Sequence, residues 1–376
     1  MRGRVAVLAN GLIPGSAAPS SAHGLRATGL YTGLTGAGIA CDIVSASSAI
    51  TAQLDRWGTG RMRIPAHWRI LQDQSLSYRL NADYRAVIVP NWPAAKGFRK
   101  GDKVKLIYDF FSATLIEHAL IADEAEVERR KSEKIALLSQ ADIVTANGRV
   151  QSKYGKAFCE EEVGLKLTGD VPAIRLALPW HDPQLAPGPM RIFVGGFLQA
   201  WTTGITLQGL EALADTADLE IHTMGFGQHA HFRGMSRSAR ASRSHERLIA
   251  HEVASFQSYR DLNTACHLAL DVFEPNEERR MSYSTRAISS IACGCPVITM
   301  AFTEVGRLIE RTGAGWTLSE FSMEELSALI SRLRDNPDEV AAARAATRTF
   351  WEAHIDPRKQ IGPLVRMLRS GETNVG

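Results

Sequence analysis

A stretch in the second half of the chain combines arginines and hydroxyls in a pattern that suits an anionic ligand. Residues 273–299 read FEPNEERRMSYSTRAISSIACGCPVIT. The hydroxyls stand before a run of small residues that predicts a helix, and a Gly-x-Pro turn follows it. The first turn of such a helix offers backbone N–H groups and the positive end of its dipole to a phosphate. Arg279, Arg280 or Arg286 could add charge-assisted hydrogen bonds. An ordinary capped helix with solvated arginines is the alternative.

The elements around this stretch alternate between Val/Ile-rich strands and helices, which predicts parallel sheets covered by helices on both faces. Predicted strands of a first series are RVAVLAN (4–10), YRAVIVP (84–90), VKLIYDF (104–110) and ADIVTAN (141–147). The segment Thr168–Met190 contains five prolines and predicts a domain linker. Predicted strands of a second series are MRIFVGGF (190–197), LEIHTMGF (219–226), LALDVFEP (268–275) and PVITMAF (296–302). Two doubly wound halves follow, each with ligands expected at the carboxyl ends of its strands.

Length and composition exclude several classes of protein. The 376 residues exceed the size at which one core stops growing, so two domains are expected. A net charge of +3 is too small to predict a nucleic-acid partner. The five cysteines lack the spacing of a zinc site and predict reduced, buried thiols. No apolar run approaches the ~20 residues that span a bilayer, so a cytoplasmic protein is expected; peripheral contact with a membrane surface stays open.

Three segments, in order along the chain, resemble motifs of the GT-B glycosyltransferases, in particular the bacterial group 1 (family 4-like) enzymes that use nucleotide-sugar donors. YDFFSATLIEH (108–118) resembles their Asp-Leu-Tyr-Asp-Pro-x-x-Leu-Glu segment, with Asp109 and Glu117 matching and Ser112 departing. RIFVGGFLQAWTTG (191–204) resembles their Val-Gly-Gly-x-x-x-x-Trp turn. The Glu-x-Arg-x-Ser-x-x-Thr-Arg block and the following Gly-x-Pro-Val turn are matched by Glu278, Arg280, Ser282, Thr285, Arg286, Gly294, Pro296 and Val297.

The resemblance implies an α/β GT-B fold, with two Rossmann-like doubly wound domains facing across a cleft. Residues 1–175 would form the acceptor domain and residues 176–350 the donor domain. Residues 351–376 would contribute a helix that returns to the N-terminal domain.

The implied activity is transfer of a sugar from a nucleoside-diphosphate sugar to a hydroxylated small-molecule, glycan or lipid-linked acceptor, with retention of configuration. No cofactor or metal is expected, because no Asp-x-Asp or His/Asp cluster at metal spacing is present. The implied catalytic residues are Asp109 and Glu117. The implied donor-binding residues are Gly195, Gly196, Trp201, Thr202, Glu278, Arg279, Arg280, Ser282, Tyr283, Thr285, Arg286 and Ser289. The implied acceptor or phosphate loop holds His23, Gly24 and Arg26.

Several of these residues also have plainer interpretations. Gly195 and Gly196 could simply form a tight turn, His23 and Arg26 could lie in a solvated loop, and Glu117 could lie on a helix surface.

The chain departs from the Glu-x7-Glu pattern of many retaining GT-B enzymes, because Met281 and Ser289 stand where the two glutamates would be. The Arg and Lys that usually follow the Gly-Gly turn are also absent. An epimerase of the same architecture and a non-catalytic GT-B-like partner subunit therefore stay open as alternatives.

Overall fold

The computed structural model describes residues 3–57, 62–185, 187–195, 205, 207–224, 246–252 and 255–376. The chain divides into two compact units. The first contains residues 1–178, 281–283 and 354–376, and the second contains residues 179–280 and 284–353. The division after Leu178 falls inside the proline-rich segment.

The first unit is built on a six-stranded parallel sheet in the order β3-β2-β1-β4-β5-β6. Its strands are β1 Val5–Leu8, β2 Cys41–Ala46, β3 Trp68–Leu71, β4 Ala86–Pro90, β5 Lys105–Phe110 and β6 Ile143–Ala146. Its first helices are α1 Ala22–Gly36, α2 Ser47–Trp57, α3 Asp73–Asp83, α4 Thr114–Ala119, α5 Glu124–Leu138 and α6 Arg149–Ala157. A 3₁₀ turn covers Trp92–Ala95, and a π-helical segment covers Phe158–Val163.

The strands of this sheet are buried on both faces, as the continuous Val/Ile runs predict. Successive residues of β1 alternate between two hydrophobic clusters, with Ala6 and Leu8 in one and Val5 and Val7 in the other. Period-two alternation between two apolar clusters explains why the strand sequence shows no polar face.

The C-terminal segment packs on this first unit. Helices α14 Pro357–Gln360 and α15 Gly362–Ser370 belong to it, and Leu364 of α15 lies in the same cluster as β1. Beyond the last helix, the Asn374 side chain bonds both backbone groups of Val144, at 2.8 and 2.9 Å. The amide side chain therefore pairs the two Val144 groups on the outer edge of β6, which would otherwise lack a partner.

The second unit repeats the arrangement with a parallel sheet in the order β12-β11-β10-β7-β8-β9. Its strands are β7 Arg191–Gly195, β8 Glu220–Met224, β9 Leu248–His251, β10 Leu268–Asp271, β11 Val297–Met300 and β12 Gly315–Leu318. The remaining helices are α7 Leu207–Ala217, α8 Phe256–Ala265, α9 Glu277–Met281, α10 Thr285–Ala292, α11 Glu304–Thr312, α12 Met323–Asp335 and α13 Pro337–His354. Both sheets have the doubly wound order, which confirms the predicted fold class. The strand order reverses between β1 and β4 and again between β7 and β10.

A lysine is buried among aromatic rings in the first unit. Lys134 of α5 is 3% exposed, and its ammonium lies over the rings of Phe158, Phe110 and Tyr154 at 3.7, 4.6 and 5.0 Å. Loss of hydration lowers the pKa of Lys134 from 10.5 to about 7. The ring faces attract the cation but do not replace its water.

This burial gives the stability of the chain a defined pH dependence. Between pH 7 and 10.5 the unfolded chain holds a proton on Lys134 that the folded chain lacks, so this lysine makes stability rise with pH. We expect Lys134→Met to be more stable than the parent at pH 7. The difference should shrink by on the order of 3 kcal/mol by pH 10. Urea unfolding of both proteins across this range checks the prediction, and a constant difference would contradict it.

Candidate functional site

A buried carboxylate fixes the start of α10 in the second unit. Asp271 ends β10 and is 3% exposed. Its carboxylate accepts a hydrogen bond from the Ser284 hydroxyl. It also forms an ion pair with Arg286, whose Nε lies 2.8 Å away. Ser284 also caps α10 by accepting from the Ala287 amide at 3.4 Å. The helix begins at Thr285, within the range that the hydroxyl cluster predicts.

The three arginines of the quoted stretch have different partners. Arg286 pairs with Asp271, and Arg279 Nε lies 2.6 Å from the Glu278 carboxylate, which is 1% exposed. The Arg280 guanidinium lies over the Phe302 ring at 5.1 Å and is exposed. Arg280 makes no ion pair with any residue that the structure describes. Its charge is therefore the one in this stretch that a ligand could neutralise without breaking an existing pair.

The remaining hydroxyl residues of the stretch differ in exposure. Thr285, the first residue of α10, and Ser282 are half-buried, whereas Tyr283 is buried. Ser289, at the position of the second motif glutamate, lies in the second turn of α10 and is 3% exposed. The next residue, Ser290, donates to Asn263 Oδ1 at 2.6 Å and ties α10 to α8.

Packing at the end of β7 requires a glycine at position 195. A Cβ atom there would lie 2.1 Å from the ring of Phe193 and 2.9 Å from that of Tyr259. These two rings meet edge to face at 5.1 Å, so neither can move aside without disturbing the core. Gly196, Trp201 and Thr202 lie outside the described residues.

A polar cluster lies at the carboxyl ends of the strands in the first unit. Asn91 follows β4 with a φ of 88°, and its side chain accepts from the Trp92 amide at 3.1 Å. Its Nδ2 donates to Ser112 Oγ at 3.2 Å and to the Thr114 hydroxyl. It also lies 3.4 Å from Nε2 of His23. Of these residues, the sequence motifs predict only His23 as part of a site. An asparagine directly after a strand and before Trp-Pro is the local signal that indicates Asn91.

His23 is uncharged at neutral pH. Burial lowers its pKa to about 4, and its ring meets the edge of Phe111 at 5.5 Å. The neighbouring Gly24 lies against the preceding loop, where a Cβ atom would stand 2.0 Å from the carbonyl oxygen of Leu12. Glycine therefore permits the close approach that places His23 at the start of α1.

Arg26 and Asp109 form a buried ion pair. Two hydrogen bonds of 2.8 Å join the guanidinium to both carboxylate oxygens, and Thr145 Oγ1 donates a third at 2.9 Å. Arg26 is 1% and Asp109 0% exposed. The pair ties α1 to β5, and a direct contact of either residue with a substrate stays a prediction. Glu117 lies half-buried in α4.

The five cysteines are buried and unpaired, as their spacing predicts. Among the described residues, no group of three or more His, Cys, Asp or Glu side chains could hold a metal ion. No helix in the described part of the chain is long and apolar enough to cross a membrane.

Known proteins resemble this chain in structure but not in sequence. No family model and no curated protein matches the sequence. Among solved structures, a sucrose-phosphate synthase from Thermosynechococcus elongatus is similar at a TM-score of 0.69 and 14% identity, covering 99% of this chain and 100% of that one. An α-glucosyltransferase in complex with UDP and a 13-mer DNA is similar at 0.67 and 10%, covering 98% and 100%. HepE of Anabaena in complex with UDP-glucose is similar at 0.66 and 11%, covering 98% and 99%.

The chain has the GT-B fold. The likeness includes both units, since it extends over 98–99% of the chain in these three structures. In the GT-B framework of this chain, α10 follows β10, the strand beside the reversal of strand order in the second unit. Asn91 and His23 occupy the corresponding edge of the first unit, after β4 and β1.

Proposed function

We propose that this chain is a glycosyltransferase that moves a sugar from a nucleoside-diphosphate sugar to a hydroxylated acceptor. The proposal rests on the start of α10, where a helix N-terminus follows the switch-point strand β10. Beside it lies the exposed charge of Arg280, which makes no ion pair within the described part of the chain. The similar solved structures include complexes with UDP and UDP-glucose, which supports a nucleotide-sugar donor.

The donor diphosphate would bind at the first turn of α10. The amides of Thr285 and Arg286 precede the first intrahelical hydrogen bond, so they are oriented to donate to phosphate oxygens. Arg280 would add a charge-assisted bond from its exposed guanidinium. The Asp271 pair keeps Arg286 and the helix start in place.

The proposed transfer proceeds on one face of the sugar, with retention. The bond from the anomeric carbon to the phosphate oxygen breaks while the acceptor oxygen bonds to that carbon. The acceptor proton passes to an oxygen of the leaving diphosphate. The helix N-terminus and Arg280 stabilise the negative charge that builds there, which is the role that a metal ion fills in other sites.

The polar cluster of the first unit would bind hydroxyl groups of the acceptor or the sugar. A neutral His23 can donate or accept a hydrogen bond, and Asn91 holds Ser112 and Thr114 beside it. The Arg26–Asp109 pair would act as a positioning element, because it fixes the helix that carries His23.

A panel of nucleotide sugars tests this function, with released nucleoside diphosphate and sugar product measured with and without hydroxylated acceptors. We expect the release of nucleoside diphosphate to depend on the acceptor, and we expect the acceptor to gain one sugar. Conversion of the donor sugar without release would support the epimerase instead. Donor binding without any turnover across the panel would support the partner subunit.

Metal removal provides a separate prediction. We expect turnover to change less than twofold in excess EDTA, because the helix N-terminus and Arg280 supply the positive charge at the leaving group. Assays with and without added magnesium or manganese measure this. Complete loss in chelator and recovery with either metal would contradict it.

A further inference from the structure

A groove on the first unit shares no lining residue with the polar side-chain cluster around Asn91 or with the start of α10. It runs between the 3₁₀ turn with its following loop and helix α5, and its volume is about 450 Å³. That volume is typical of small-molecule sites. Trp92, Phe98 and Leu137 line it and are only 3–5% exposed, so they form an apolar floor.

The wall of this groove is strongly cationic. Its basic lining residues are Lys96, Arg99, Arg129 and Arg130. Arg129 pairs with Glu126 and Glu133, and Arg130 pairs with the same Glu126. Lys96 and Arg99 are exposed and make no ion pair with any described residue. Four cations therefore face two carboxylates, which leaves about two uncompensated positive charges in a concave site.

His118, which contacts Arg130 beside this wall, is neutral. Its Nε2 lies 2.6 Å from the Arg130 guanidinium. Burial and the Arg130 charge lower the pKa of His118 to about 4, so the neutral ring accepts a hydrogen bond from the arginine. The contact orients Arg130 and leaves its charge in place.

We propose that this groove binds an organic phosphate, with the phosphate on Lys96, Arg99 and Arg130 and the organic part on the apolar floor. A phosphate monoester carries about −1.5 to −2 charges at neutral pH, which matches the excess positive charge of the wall. A carboxylate would neutralise only half of it. The planar guanidinium groups also suit the bidentate geometry of phosphate.

Calorimetric titration with phenyl phosphate at pH 7.5 tests the proposal, with benzoate and benzyl alcohol as ligands of lower charge. We expect phenyl phosphate to bind at least tenfold more tightly than benzoate and to lose at least tenfold in affinity in a Lys96→Ala/Arg99→Ala variant. Both side chains are exposed, so folding should be unaffected. Arg348→Ala, which removes an exposed arginine paired with Glu352 in the other unit, is the matched control.

Arg280→Ala separates this site from the proposed donor site, and phenyl phosphate affinity should be unchanged in it. A parallel arm measures sedimentation with phosphatidylcholine vesicles that contain phosphatidic acid. Loss of vesicle binding in the double variant would identify a lipid phosphate as the natural source, and binding of the soluble ester alone would identify a soluble one. Equal affinity of the double variant and the parent for both probes, or loss of phenyl phosphate binding in Arg280→Ala, would overturn the proposal.

Discussion

Arg26→Met is expected to lower the free energy of unfolding of the first unit by about 3–5 kcal/mol. The substitution leaves the Asp109 carboxylate, which is 0% exposed, without its cation. The remaining bond from Thr145 Oγ1 does not offset the cost of a buried, unpaired charge. Urea unfolding followed by circular dichroism measures the loss.

The double variant Arg26→Met/Asp109→Leu provides the control. It removes both charges from the interior, so we expect it to recover most of the lost stability. If the single variant unfolds at the same urea concentration as the parent, the buried pair does not hold α1 to β5.

Arg280→Ala is expected to weaken binding of the donor by about 1.5–3 kcal/mol, which is about 10- to 150-fold. The guanidinium is exposed and stacks on one ring, so its removal should leave the unfolding transition nearly unchanged. The loss in kcat/KM should equal or exceed the loss in affinity, since charge on the leaving diphosphate grows in the transition state. Calorimetry with UDP and steady-state kinetics measure the two quantities.

Arg286→Ala shows why the arginines of this stretch must be tested separately. It strips the cation from Asp271, so it should destabilise the second unit and disturb the start of α10. Weak donor binding by that variant would therefore not identify a phosphate contact. Arg332→Ala, at an exposed arginine paired with Glu339, is the control for a general charge effect. Equal UDP affinity of Arg280→Ala and the parent would contradict the assignment of Arg280.

The architecture could be predicted from local sequence because its signals are local. Runs such as RVAVLAN must be buried on both faces, and the proline-rich segment cannot continue a helix. The start of α10 was predictable for the same reason, since a cap hydroxyl and the helix that it caps are neighbours in sequence.

The partners of the charged residues could not be predicted in this way. Arg26 and Asp109 are 83 residues apart, and only the doubly wound topology brings α1 against β5. The sequence motif likewise presented Arg279, Arg280 and Arg286 as equivalent cations. The structure distinguishes them, because Glu278 and Asp271 neutralise two of the three.

A crystal structure of the chain with UDP tests the central claim most directly. We predict the diphosphate at the first turn of α10, with its oxygens about 2.7–3.1 Å from the amides of Thr285 and Arg286 and from the Arg280 guanidinium. A UDP molecule bound elsewhere, with the first turn of α10 contacting no phosphate, would contradict the account.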